Sequence, residues 1–139
     1  MSIAMRLAPR LLLVLTALCL AGGACVHALA YPKAARIAEH SALPAFFTAA
    51  FKGLWLIDSA ASLVLAMAFG LVAVFPSTAS RSVVVVLALA PLAFAIALFA
   101  TMGNFFPGYL MLVAGAAALI GGALHHRVPH GRAENGTFA

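Results

Sequence analysis

One face of a long apolar stretch carries the side chains best suited to chemistry. It consists of Lys52, Trp55, Asp58, Ser59 and Ser62. A helix advances about 100° per residue, which places all of them within an arc of roughly 120°. They therefore form one polar stripe that faces a neighbouring helix or a cavity. Because a carboxylate within a membrane is costly and often functional, Asp58 is the central candidate.

Other polar residues are expected at the same end of the molecule. The first apolar stretch runs outward and reaches His27 about one turn before Tyr31, whereas the second runs inward and reaches Asp58 soon after it begins. We therefore expect His27 and Asp58 at similar depth beneath the outer surface. Asn104 and Tyr109 flank the outer turn between the third and fourth stretches, so they complete the candidate cluster.

Two interpretations of this cluster remain open. Lys52 and Trp55 are typical interfacial anchors, and Asp58 could pair with His27 for structural reasons alone. Alternatively, the cluster forms a shallow outer pocket for a small amphipathic molecule or a partner helix, because groups that titrate and share one depth often mark functional sites.

The sequence gives little support for a metal or cofactor site. Haem between helices normally requires paired axial ligands, and His27 is the only histidine within an apolar stretch. His125, His126 and His130 lie in the polar tail, where Pro129 interrupts helical spacing. No nucleophile elbow, P-loop or zincin motif occurs. We expect neither a metal site nor a cofactor, and catalysis is not favoured.

The composition requires lipid as the solvent for most of the surface. Of 139 residues, 65% are hydrophobic and 8% charged, with a mean hydropathy of +1.13, whereas soluble domains carry roughly a quarter charged residues. The net charge of +5 is scattered at the edges of apolar stretches, which argues against nucleic-acid binding. The bilayer is the expected environment.

Four apolar stretches are long enough to cross a bilayer, which takes about 20 helical residues. They predict helices at about 11–30, 44–75, 83–102 and 105–124, followed by a polar tail at 125–139. The expected fold is an all-α integral membrane protein in which residues 1–139 form a single domain, an antiparallel bundle of four transmembrane helices. Pro91 should kink the third helix.

Lys and Arg residues predict the orientation. Arg6, Arg10, Arg81, Arg127 and Arg132 would share one side. Lys33 and Arg36 would lie in an outer loop from 31 to 52, with Lys52 near its end. The positive-inside rule then places both termini in the cytoplasm, and we expect a bacterial cytoplasmic membrane. The first stretch also resembles a secretory signal with a cleavage pattern at 28–30, but its length favours retention.

Small residues predict the helix contacts, because helices in lipid associate where their backbones approach closely. The first stretch offers Ala17, Ala21, Gly22 and Gly23, and the fourth offers Ala114, Ala118 and Gly122. Cys19 and Cys25 are expected to be buried packing residues rather than a disulfide.

The size and four-helix layout resemble those of small multidrug-resistance transporters and of DoxX-like membrane proteins. The former rely on a Glu in the first helix, and the first stretch here has no carboxylate. The likeness covers architecture alone. The sequence favours an accessory or interaction subunit, with another membrane protein or a second copy as partner. Two alternatives remain, a binder or carrier of a quinone or lipid at the outer cluster and a membrane oxidoreductase.

Overall fold

Four long helices account for nearly all of the residues that the structure, a computed structural model, describes. These are residues 3–124, with side chains from Leu7 onward. The helices are α1 (Ile3–Glu39), α2 (Ala45–Val74), α3 (Arg81–Met102) and α4 (Phe106–Leu124), and a 3₁₀ turn at Pro76–Thr78 follows α2. Each is long and apolar enough to cross a membrane, which confirms the predicted number and type of elements. The tail histidines lie outside the described residues.

Helix α1 is much longer than the sequence predicted. It was expected to end near Ala30, with an outer loop from 31 to 52, but it continues through Pro32 to Glu39. The seven residues from Lys33 to Glu39 are three Ala, with Lys, Arg, Ile and Glu, and most of these types favour helix. Their polar side chains end the apolar stretch but do not interrupt the helix. The connection to α2 therefore shrinks to 40–44.

The other helix ends follow their local chemistry. Pro44 precedes α2 without a side-chain cap, and the hydroxyl of Ser41 donates to the Ala38 carbonyl oxygen at 2.6 Å, so Ser41 closes α1 rather than opening α2. Ser80 caps α3 by accepting from the Val83 amide at 3.4 Å. Gly103 has a φ of +67° after α3, a conformation that side chains with a Cβ rarely adopt.

The helices pack in the spatial order α2, α1, α4, α3. Helix α1 contacts both α2 and α4, and α3 packs against α4, whereas α2 and α3 make few close backbone approaches. Each packed pair is antiparallel, as the contacts between α1 and α4 illustrate. Gly23 lies beside Leu110, and Gly121 lies beside Leu12 and Leu13. Helix α1 is thus central to the fold.

Glycines allow α3 and α4 to approach closely. Gly108, Gly115 and Gly122 recur every seven residues along α4 and face α3. A Cβ on Gly115 would lie 2.7 Å from the Leu92 side chain and 3.0 Å from its backbone nitrogen, so only glycine fits without a shift. Pro91, directly before Leu92, is buried, and α3 continues through it.

The small residues singled out from the sequence differ in their surroundings. Ala114 and Ala118 are fully buried, and Gly122 lies against Val84. Ala17, Ala21 and Gly23 are half-buried on α1. Gly22 is different, because it is exposed and nothing lies within 4 Å of where its Cβ would be. Its assignment to a packing face was wrong, since its neighbours in sequence face the interfaces. Cys25 is likewise exposed, and only Cys19 is half-buried.

Helices α1 and α2 extend well beyond α3 and α4 at one end. The contact of Gly23 with Leu110 places the start of α4 near the level of His27. Helix α1 continues for 12 residues after His27, which is about 18 Å at 1.5 Å per residue. The first turns of α2 accompany it in antiparallel contact. We call residues 28–57 the extended hairpin.

Candidate functional site

His27 joins α1 to α2 at the base of the extended hairpin. Its imidazole stacks on the indole of Trp55, with ring centroids 4.1 Å apart and planes inclined by 6°. The indole Nε1–H donates to the His27 carbonyl oxygen at 2.8 Å. The two residues are thus held together by both their rings and the backbone, which fixes the imidazole in one orientation.

Ser59 is the hydrogen-bond partner of the His27 imidazole. The Ser59 hydroxyl lies 2.9 Å from Nδ1 of His27 and donates to the Trp55 carbonyl oxygen at 3.1 Å. A hydroxyl has only one proton to donate, so both contacts are satisfied when Nδ1–H donates to the Ser59 oxygen.

Asp58 lies beside this pair without being tied to it. Its Oδ2 is 3.7 Å from Nδ1 of His27, too far for a hydrogen bond. Its carboxylate accepts no hydrogen bond from any described residue, and its side chain is 46% exposed, against 32% for that of His27. The only other carboxylate in the described part of the chain, that of Glu39, pairs with Lys52 at 2.6 Å. Asp58 is therefore the one without a Lys or Arg partner there.

The structure divides the eight residues of the predicted cluster. His27, Trp55, Asp58 and Ser59 come together, and we call them the His27 cluster. The remaining members lie elsewhere: Lys52 pairs with Glu39, Tyr109 donates to Asn104 at 3.2 Å, and Ser62 is buried with a hydroxyl that has no partner in the described structure. The predicted cluster is thus divided into separate polar contacts rather than forming one site.

An apolar groove adjoins the His27 cluster on the extended hairpin. It has a volume of about 340 Å³, and it is lined by Ala34, Ile37, Ala38, Ser41, Leu43, Phe51 and Trp55. Phe51 and Trp55 lie one turn apart on α2, and Asp58 follows one turn later. The groove and the carboxylate therefore occupy the same side of α2, with Trp55 between them.

Sequence reasoning missed two residues whose side chains form contacts between helices, Glu39 and Thr16. Glu39 was assigned to a loop, although Lys52 thirteen residues later was a visible counter-ion. The hydroxyl of Thr16 lies 3.0 Å from the Leu12 carbonyl oxygen and 3.1 Å from that of Ala114, linking α1 to α4. A lone Thr within an apolar helix was the available signal.

Among the described residues, no group of three or more His, Cys, Asp or Glu side chains comes together. No family model matches the chain, and neither a curated protein nor a solved structure is similar to it. The site is therefore interpreted from its own geometry.

Proposed function

We propose that this protein is an accessory subunit of a membrane complex, and that its extended hairpin docks on another membrane protein. The observation that carries the proposal is the length of the hairpin, which outruns α3 and α4 while keeping apolar side chains at its surface. The proposal includes insertion of all four helices as an antiparallel bundle and assigns the chain no catalytic role.

The lengths of α3 and α4 support a membrane frame. With 22 and 19 residues, they span about 33 and 28 Å, close to the hydrocarbon thickness of about 30 Å. In that frame Arg81 lies at one boundary and the Gly103 turn at the other. The positive-inside rule then places both termini in the cytoplasm of a bacterium, with the hairpin on the outer side.

The exposed surface of the hairpin is poorly suited to water. Phe46 is 75% exposed and Phe47 57% exposed at the start of α2, and Leu43 precedes them with its side chain about half exposed. In the proposed frame these side chains lie beyond the hydrocarbon. A contiguous apolar patch outside the bilayer marks a surface that another molecule covers.

Charge favours a different protein over a second copy as that molecule. Lys33 and Arg36 are exposed on the hairpin, and the nearby Lys52 is neutralised by Glu39. Two identical hairpins side by side would bring like charges together, which costs free energy. An apolar partner surface with acidic residues at its rim complements both features.

Protection of a cysteine at position 47 tests the docking. Phe47→Cys is placed in a Cys19→Ser, Cys25→Ser background and labelled from outside with a membrane-impermeant maleimide. We expect slow labelling in native membranes and fast labelling when the purified protein alone is reconstituted in lipids from the same membranes. Slow labelling in both would show that lipid covers the hairpin, and fast labelling in both would show that nothing docks there. Either result contradicts the proposal, as does protection that grows with protein density in the liposomes.

Co-purification in mild detergent tests whether the partner binds specifically at Phe46 and Phe47. A stoichiometric partner should be lost when Phe46 and Phe47 are replaced by Ser. The matched control is Val64→Ser, which removes an equally exposed apolar side chain from α2 at the level of α3 and α4. Equal loss of the partner in both variants would locate the contact elsewhere.

A further inference from the structure

The carboxylate of Asp58 lies one turn beyond the Trp55 end of an apolar groove and has no hydrogen-bond donor among the described residues. Its side chain is 46% exposed, so it can be reached from solvent. A molecule that binds here can therefore donate N–H groups to this carboxylate in place of water.

The negative charge of the Asp58 carboxylate favours a cationic donor. Asp58 is partly screened from solvent, and no Lys or Arg side chain in the described structure pairs with it. The ammonium of Lys52 is held by Glu39 at 2.6 Å. A positively charged donor would compensate the Asp58 carboxylate, and hydrogen bonds between charged groups are about twice as strong as neutral ones.

The apolar lining of the groove favours a ligand with an apolar chain or ring system. Ile37, Leu43 and Phe51 supply apolar walls, and Trp55 separates them from Asp58. One face of the indole is occupied by His27, so the ring is held in place as part of the wall. A chain or ring system lying in the groove would direct its polar end toward the His27 cluster.

We propose that the His27 cluster and the adjoining groove bind a lipophilic amine, whose ammonium donates hydrogen bonds to the carboxylate of Asp58. The apolar part of the amine lies along Phe51 and Trp55. This binding site is formed by residues of α1, α2 and the turn between them, so the purified protein alone should bind the amine whether or not the extended hairpin docks on a partner protein.

The single tryptophan of the chain gives a direct measurement, because Trp55 lines the groove and stacks on His27. Dodecylamine, which is charged at neutral pH, is titrated into the protein in nanodiscs of a neutral lipid while Trp55 fluorescence is recorded. We expect a saturable change with dodecylamine. Dodecanol, which has the same chain without the charge, should bind at least about tenfold more weakly, because hydrogen bonds to charged groups are worth about 1.5–3 kcal/mol.

Variants of the two carboxylates complete the experiment. Asp58→Asn should weaken dodecylamine binding by about the same factor, whereas Glu39→Gln, which removes the paired carboxylate at the top of α1, should leave it unchanged. Equal affinities for dodecylamine and dodecanol in the wild type overturn the proposal, as does unchanged affinity in Asp58→Asn. If circular dichroism showed that Asp58→Asn had lost its helices, the wild-type comparison of the two ligands would decide.

Discussion

The contacts of His27 with α2 differ in what they contribute to stability. The Nδ1 contact with Ser59 is short at 2.9 Å, whereas Asp58 lies at 3.7 Å and is half exposed to solvent. Loss of a part-buried hydrogen bond costs about 1 kcal/mol, and a solvated charge at a longer distance contributes less. The geometry therefore ranks Ser59 above Asp58 as a structural partner of His27.

A pair of double-mutant cycles measures this ranking. We expect a coupling of about 1 kcal/mol between His27→Leu and Ser59→Ala in the free energy of unfolding, because the two substitutions remove the same hydrogen bond. The cycle that combines His27→Leu with Asp58→Asn should show a smaller coupling. A larger coupling to Asp58 would mean that the carboxylate, rather than the hydroxyl, holds the imidazole.

Two glycines on different helices give a second prediction at the residue scale. Gly115→Ala places a methyl group 2.7 Å from the Leu92 side chain, and such overpacking costs about 1–3 kcal/mol. Gly22→Ala meets open space and should not destabilise the protein. Thermal unfolding in detergent compares the two variants, and equal melting temperatures would show that α3 and α4 can separate at Gly115 without cost.

These residues show how far sequence reasoning reaches at this scale. Counting helical turns placed His27 and Asp58 at one depth, and the structure brings them together. It could not identify Ser59 as the hydrogen-bond partner, because a difference of one residue rotates a side chain by about 100°. The same limit explains Gly22, since spacing identifies small residues but not the side of the helix that meets a neighbour.

At the scale of elements, α1 shows that a helix can extend past the end of its apolar stretch. Apolar stretches identified four helices and placed the C-terminal ends of α2, α3 and α4 within one residue of those observed. They missed the last nine residues of α1. An apolar stretch shows which residues are compatible with lipid, whereas backbone hydrogen bonding determines where a helix ends. Polar helix-forming residues therefore continue α1 beyond the end of its apolar stretch.

Hydrogen exchange of the protein in nanodiscs tests the continuation of α1. Amides from Ala34 to Glu39 should be protected, because each lies within a continuous helix. The amide of Ala42 in the turn, where the structure shows no backbone hydrogen bond, serves as the unprotected reference. Exchange at 34–39 as fast as at Ala42 would mean that α1 ends near Pro32 and that the extended hairpin does not form.

At the scale of the whole molecule, the central position of α1 bears on the signal-like sequence at its start. Cleavage after Ala30 would remove most of the helix that joins α2 to α4, together with Thr16 and His27. We therefore predict that the protein keeps α1 in the membrane. Intact-mass measurement of protein extracted from native membranes checks this, and a species that begins at Tyr31 would contradict it.

Orientation is predicted separately from packing. Reporter fusions after Ala139 should be active in the cytoplasm and inactive in the periplasm, because Arg10 and Arg81 are at the end of the molecule where α1 and α3 begin. A fusion at Ala42, in the turn of the extended hairpin, should behave in the opposite way. Reversed activities would place the hairpin in the cytoplasm.

The link between Thr16 and Ala114 also sets an order in time. The two residues are 98 positions apart, and ribosomes add about 5–20 residues per second. Ala114 is therefore synthesised roughly 5–20 s after Thr16. During that interval α1 and α2 can pair, since they are adjacent in the chain. The hydroxyl of Thr16 is meanwhile satisfied by the Leu12 carbonyl of its own helix. The nascent chain thus holds an open face on α1 without an unpaired polar group, and the arrival of α4 with α3 completes the fold.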